Sequence, residues 1–163
     1  MDFLERVHGQ WGRLFPGEDD VNSLLSIGRL LRVASFVTAT TEDVVTRYDL
    51  TRGEFDLLCA VRRSGKNCRA TELSILTKAS GAAITKRLDK LSAQGLITRQ
   101  VLARDRRVVL VDLTDQGCAL VDEAFPQVMT TATQPLDGFT DQETEELERL
   151  LTKLLKNVDP KSY

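Results

Sequence analysis

The 163-residue sequence has no long apolar run, and no window approaches the ~18 consecutive apolar residues that a membrane-spanning helix requires. Its beginning, MDFLERVHGQW, is charged from the second residue and lacks the apolar core of a signal peptide. Hydrophobic residues make up 42% and charged residues 28%, as in ordinary globular domains. We therefore expect one compact domain in the cytoplasm, with no membrane partner.

Cysteine and histidine are also scarce. Cys59, Cys68 and Cys118 form an odd set without a CxxC pair, which argues against a disulfide framework and a zinc site. His8 is the only histidine, so neither a histidine-containing triad nor a multi-histidine metal site is possible. The sequence also offers no nucleophile beside a base and no phosphate-binding loop. We expect no enzyme activity, metal or cofactor.

The charge is distributed unevenly along the chain. The formal net charge is only −2, but residues 78–107 hold eight basic and two acidic residues, a local charge of +6. The remaining fourteen basic and twenty-two acidic residues give −8. This distribution indicates a face for a polyanion such as DNA.

Apolar periodicity predicts helices in the first part of the chain, a short one over residues 2–14 and a long amphipathic one over 22–47. A third helix opens with Thr51 and Glu54, which have the spacing of a capping box, and stops at Ser64–Gly65. These helices precede the basic segment.

The next segment predicts a short helix over 70–77 with Thr71 as its cap, followed by a helix within KASGAAITKRLDKLSAQGLI that ends at Gly95. ITRQVLA and RRVVLVDL then predict a β-hairpin with Arg104, Asp105 and Arg106 at its tip. Thr114 caps a further helix, and DQETEELERLLTKLLKNV predicts the last one.

This order predicts a mainly α fold with a small β-hairpin, a winged helix-turn-helix flanked by N- and C-terminal dimerisation helices. We assign residues 1–47 to N-terminal dimerisation helices. Residues 48–113 form the DNA-binding domain and 114–163 the C-terminal dimerisation helices. Because the flanking helices carry wide apolar stripes, we expect a two-fold homodimer.

The segments YDLTRGEFDLL, ATELSILTKASGAAITKRLDKLSAQGLITR and DRRVVLVDLTDQG, in this order, resemble the multiple antibiotic resistance regulator (MarR) family of dimeric winged-helix regulators. The resemblance spans roughly residues 20–157. Trp11, EFD at 54–56, TKRLDKL at 85–91 and GLITR ending at Arg99 look like the urate-responsive subgroup.

The recognition helix and the wing supply the predicted DNA contacts. The start of a recognition helix meets base edges and phosphates, and the narrow minor groove attracts arginine. Asp105 is two residues before Arg107 and can orient it, as the Asp-x-Arg arrangement of the family implies, or it is simply a turn residue. Similarly, Lys86 and Lys90 bind DNA or form an ordinary solvated face. The predicted DNA-binding residues are Lys78, Ser80, Gly81, Ala82, Thr85, Lys86, Lys90, Arg104, Asp105, Arg106 and Arg107.

The resemblance to the urate-responsive subgroup implies a ligand site at Trp11, Asp56, Arg87 and Arg99. Arginine would neutralise a planar anion, tryptophan would stack on it, and Asp56 would hold an arginine in place. A ligand that breaks an Asp56–Arg87 pair would tilt the recognition helix away from DNA. The alternatives are a structural ion pair and a core or interface tryptophan.

The predicted function is that of a ligand-responsive repressor that binds a pseudo-palindromic operator as a homodimer. Urate or a similar small aromatic anion would release it. One alternative is a redox-sensing regulator that uses a cysteine, with Cys68 beside Arg69 a better candidate than Cys59. The other is a winged helix that binds proteins instead of DNA.

Overall fold

The computed structural model describes residues 3–14, 21–65, 67–77, 79–102 and 105–159. The chain divides into two compact units, residues 1–132 and 133–163. Within the described ranges, no helix is long and apolar enough to cross a membrane.

The first unit contains six helices and three strands among its described residues. They follow the order α1 Phe3–Leu14, α2 Val21–Thr46, α3 Arg52–Ser64, β1 Cys68–Arg69, α4 Ala70–Leu76, α5 Gly81–Ala93, β2 Ile97–Leu102, β3 Asp105–Leu113 and α6 Asp115–Thr133. The second unit has a 3₁₀ turn, Gln134–Leu136, and α7, Asp141–Val158. The mainly helical fold with a small sheet is therefore confirmed.

Local signals define the ends of α3 and α4. Thr51 and Glu54 make both hydrogen bonds of the predicted capping box, and Gly65 ends α3 with a φ of +79°. The prediction that Thr71 caps α4 is wrong, because the helix already includes Ala70 and the cap position belongs to Arg69.

The sheet is antiparallel with strand order β1-β3-β2. In the hairpin, Ile97 pairs with Leu113 and Val101 with Val109, and the register shifts before the Leu102–Asp105 pair. Strand β1, only two residues long, was not predicted from the sequence and adds to the other side of β3.

One apolar core joins these elements in the first unit. Its fully buried side chains come from α2, α3, α4, α5, β3 and α6, and include Val45, Leu57, Leu58, Val61, Leu73, Leu91, Val111 and Val128. This core holds α5 and the hairpin against α3, with the polar face of α5 in solvent.

The apolar stripe of α2 is largely uncovered within a single chain. The exposed fractions of Leu24, Leu31 and Phe36 are 66%, 63% and 50%. Helix α7, taken by itself, also has exposed Leu150, Leu154 and Leu155.

Candidate nucleic-acid interface

The N-terminus of α5 presents small residues and backbone N–H groups to solvent. The Ser80 side chain accepts a hydrogen bond from the Ala83 N–H at 3.3 Å and so caps the helix. Gly81 and Ala82 are exposed, and nothing lies within 4 Å of the position that a Cβ at Gly81 would occupy. This end of α5 can therefore approach another molecule closely.

The next turn of α5 adds a hydroxyl and a cation to the same exposed surface. The Thr85 hydroxyl donates to the Gly81 carbonyl oxygen at 3.0 Å. Lys86 is exposed, and no described residue forms an ion pair with it. Its ammonium group is therefore available to a phosphate.

Lys90, for which the sequence also predicts a phosphate contact, has partners within the chain. Its Nζ lies 3.0 Å from Glu54 Oε2 and donates to the Asp49 carbonyl oxygen at 3.3 Å. Burial alone would raise the pKa of Glu54, but hydrogen bonds from the Thr51 backbone N–H and from Lys90 hold that pKa below its usual range. Glu54 is therefore an anion that binds Lys90.

A second ion pair joins α5 to the hairpin. Arg99 Nη1 lies 2.7 Å from Asp89 Oδ1, and the Asp89 side chain is 60% exposed. The contact places Arg99, a predicted ligand residue, beside the outward face of α5. It thereby neutralises one of the cations counted in the basic segment.

The hairpin tip is only partly described. Lys78 and Arg104 lie outside the described residues, and so do the side chains of Asp105, Arg106 and Arg107. The backbones of these last three residues begin β3. Their roles as DNA contacts stay predictions.

Asp56 pairs with Arg52, not with Arg87. Arg52 Nε lies 2.8 Å from Asp56 Oδ1, four residues along α3, and Arg52 Nη1 donates to the hydroxyl of buried Thr41 at 2.8 Å. The Arg87 guanidinium instead lies over Gly53, where an added Cβ would be 2.5 Å from its Cζ. The suggested Asp56–Arg87 pair is therefore corrected, because Arg52 reaches Asp56 from within the same helix.

Asp56 nevertheless borders a cavity. A space of about 360 Å³ between α3 and the end of α4 is lined by Asp56, Cys59, Ala60, Arg63, Leu76 and Thr77. Because Gly53 and Asp56 are three residues apart on α3, Arg87 lies one turn from this cavity. Trp11, on α1, is half exposed.

Cys59 and Cys68, the two cysteines considered for redox sensing, lack the properties of reactive thiols. Burial, reinforced by the Asp56 carboxylate, raises the pKa of Cys59 to about 11. Cys68 is almost fully buried, and this burial raises the pKa of its thiol as well. Both shifts disfavour the thiolate that redox sensing requires.

Three residues that form ion pairs in this region were not identified as site residues from the sequence: Arg52, Glu54 and Asp89. The Arg52–Asp56 pair has the (i, i+4) spacing typical of helical ion pairs, so the pattern contained a signal for it. Glu54 was predicted as part of the helix cap and of the EFD segment, and Asp89 occurred only within the TKRLDKL segment; neither was assigned an ionic partner. Their partners, Lys90 and Arg99, lie on other elements and have no fixed sequence spacing.

Comparisons with known proteins agree with this geometry. The sequence model of the MarR family matches residues 48–108. The transcriptional regulator PecS of Dickeya dadantii is 30% identical over 151 residues, which cover 91% of this chain and 90% of PecS.

Two solved structures are similar as well. A mutant of MarR from Escherichia coli, in complex with operator DNA, matches with a TM-score of 0.69 and 28% identity, covering 85% of this chain and 99% of that one. BpsR of Bordetella bronchiseptica, whose DNA binding is regulated by 6-hydroxynicotinic acid, matches with a TM-score of 0.68 and 29% identity. This match covers 79% of this chain and 98% of BpsR.

Proposed function

The chain belongs to the MarR family of transcriptional regulators, and from this premise we propose that it is a repressor released from DNA by a small aromatic anion. It binds a pseudo-palindromic operator as a homodimer, with the two half-site centres about 10 bp apart, one turn of DNA. The observation that carries the proposal is the exposed N-terminal half of α5, with its small residues and the accessible ammonium group of Lys86.

DNA binding follows from the electrostatics and shape of this surface. Helix N-termini attract phosphate, and the major groove of DNA is wide enough to admit an α-helix. The operator-bound structure of the similar MarR from Escherichia coli supports the same role for this chain. The hairpin tip then reaches the minor groove, where Asp105 orients Arg107.

The homodimer explains the uncovered stripe of α2. Exposed apolar side chains at Leu24, Leu31 and Phe36 cost free energy in a monomer, and the matching stripe of a second copy would bury them. Leu31→Glu is therefore expected to yield monomers. Sedimentation velocity at equal protomer concentration measures this, with the exposed Glu42→Ala as control. Unchanged dimers would contradict the placement of the interface.

The ligand is an aromatic anion such as urate or 6-hydroxynicotinic acid. The second of these compounds regulates DNA binding by the similar BpsR, and the cavity beside Asp56 has the size of a small-molecule site. Arg87 supplies positive charge one turn away, whereas Trp11 and Arg99, the other two residues of the predicted set, are not among the residues that line this cavity. Binding there shifts α3 relative to α5 and lowers the population that fits DNA.

Affinity measured against salt concentration tests the DNA-binding role. Each lost phosphate contact lowers the slope of log K against log salt by about 0.9. Lys86→Ala and Arg107→Ala are each expected to reduce both affinity and slope, whereas Arg47→Ala, an exposed cation outside the surface, leaves both unchanged. A wild-type chain without salt-dependent DNA binding would favour the protein-interaction alternative.

Fluorescence of the single tryptophan tests the ligand. Urate and 6-hydroxynicotinic acid are titrated separately, with free tryptophan as the absorbance control and calorimetry as an independent measure. Arg87→Ala should weaken saturable quenching. Gly53→Ala should do the same while keeping the charge, because its Cβ displaces the guanidinium. If neither compound binds, the ligand proposal fails and the DNA proposal stands.

A further inference from the structure

Side chains at the C-terminal end of the recognition helix form a small polar cluster with residues at or just before the start of α3, which we call the α5 clasp. It consists of Asp49, Glu54, Lys90 and Gln94. Lys90 and Gln94 are one helical turn apart on α5, and both reach the corner between α2 and α3. The clasp therefore connects the recognition helix to the start of α3.

The anionic centre of the clasp is nearly buried. The Glu54 side chain is 8% exposed, and it bonds both to the cap of α3 and to a side chain of α5. One of its oxygens accepts hydrogen bonds from the Thr51 backbone N–H at 2.8 Å and from Lys90 Nζ at 3.0 Å. Withdrawing Lys90 to bind a phosphate would leave a buried carboxylate without its cation, which is costly.

The corner itself has a defined geometry. Asp49 adopts a left-handed φ of +56°, and its carbonyl oxygen accepts hydrogen bonds from Lys90 Nζ at 3.3 Å and Gln94 Nε2 at 3.2 Å. Gln94 Nε2 also donates to Asp49 Oδ2 at 3.2 Å. These contacts fix the rotation of α5 about its own axis, since they hold one side of its last two turns.

From this arrangement we infer that Lys90 is a positioning residue, which orients the recognition helix through Glu54 and Asp49 and does not bind DNA phosphate. Lys86, one turn earlier and without an ion-pair partner among the described residues, is the phosphate-binding lysine of α5. The inference rests on the proposed DNA binding. It assigns different roles to two lysines of similar sequence context, phosphate binding to Lys86 and helix positioning to Lys90.

A double-mutant cycle separates these roles. The probe is a duplex selected from a random library by the wild-type chain, with binding measured by fluorescence anisotropy across a salt series. The variants are Glu54→Gln, Lys90→Met and their combination, with Lys86→Met as the matched control. Circular dichroism and urea unfolding establish that each variant is folded, and Lys90→Gln replaces Lys90→Met if that variant unfolds.

Lys90→Met should reduce affinity roughly tenfold while the salt slope stays within about 0.3 of the wild-type value. The double variant should bind no more weakly than the weaker single variant, because both changes remove one interaction. Lys86→Met should lower the slope by about 0.9 and should combine additively with Glu54→Gln.

A slope reduction of about 0.9 for Lys90→Met, or additive losses with Glu54→Gln, would overturn the positioning role. That outcome would leave the proposed function intact, because the wild-type chain would still bind the selected duplex. If the wild-type chain selects and binds no duplex, the proposed function fails together with the inference.

Discussion

Gly117, in the first turn of α6, is a position where one methyl group should disturb the base of the wing. A Cβ added there would lie 2.1 Å from the Leu96 carbonyl oxygen, 3.0 Å from its carbon and 3.3 Å from Leu113 Cδ2. The nearest atom is backbone, so a side-chain rotation cannot relieve the contact. Helix α6 and the segment between α5 and β2 must therefore separate by about 1 Å to restore ordinary contact.

The cost of that separation has two parts. Overpacking of this kind destabilises by about 1–3 kcal/mol. The Leu96 carbonyl oxygen also accepts a hydrogen bond from the Thr114 N–H at 3.1 Å, whose loss adds about 1 kcal/mol. For a chain of this length, a total of about 2–4 kcal/mol corresponds to a melting temperature lower by roughly 5–15 °C.

Thermal unfolding followed by circular dichroism measures this change for Gly117→Ala at a fixed protomer concentration. Gly81→Ala is the control, because nothing lies within 4 Å of its added Cβ and alanine favours a helix. Its melting temperature should equal or exceed that of the wild type. A Gly117→Ala melting temperature within about 1 °C of the wild type would refute the close packing of α6 on Leu96.

Two further predictions concern titratable groups. Because the folded-state pKa of Glu54 is lowered, its stabilisation is present above its ordinary value of 4.5 and is lost as the pH falls through the lower, folded-state value. Urea unfolding should therefore find Glu54→Gln less stable by about 1–2 kcal/mol at pH 7, with the difference shrinking below pH 4.5; a constant difference would contradict the charge of Glu54. Because the pKa of Cys59 is about 11, its alkylation by iodoacetamide at pH 7, followed by peptide mass spectrometry, should be at least about 100-fold slower than that of free cysteine. A rate equal to that of free cysteine would revive the redox-sensing alternative.

Features that depend on neighbouring residues could be predicted from the sequence. The capping box of Thr51 and Glu54 spans four residues, and the hairpin follows from two β-rich runs beside each other. The strand β1 could not be predicted in this way, because two residues carry no periodicity. It forms only where β3 offers a free edge, which is a property of the folded sheet.

The ionic partners were the least predictable part of the site. The ion pair of Arg52 and Asp56 could be predicted from their (i, i+4) spacing, whereas Glu54 and Lys90 are 36 residues apart. Placing Glu54 against Lys90 requires knowledge of how α5 crosses the start of α3. That crossing is determined by the packing of the apolar core, and charge patterns do not encode it.

These ion pairs also reduce the number of cations that residues 78–107 can offer to DNA phosphate. Of the eight basic residues in 78–107, Lys90 is neutralised by Glu54 and Arg99 by Asp89, so at most six remain to meet phosphate in each protomer. Because each phosphate contact contributes about 0.9, the slope of log K against log salt should not exceed about 5 per protomer. Anisotropy titrations with the selected duplex, from low to physiological salt, measure this slope. A steeper slope would mean either that cations outside residues 78–107 also contact phosphate or that Lys90 or Arg99 leaves its carboxylate when DNA binds; a slope that Lys90→Met lowers by about 0.9 would identify the second case for Lys90.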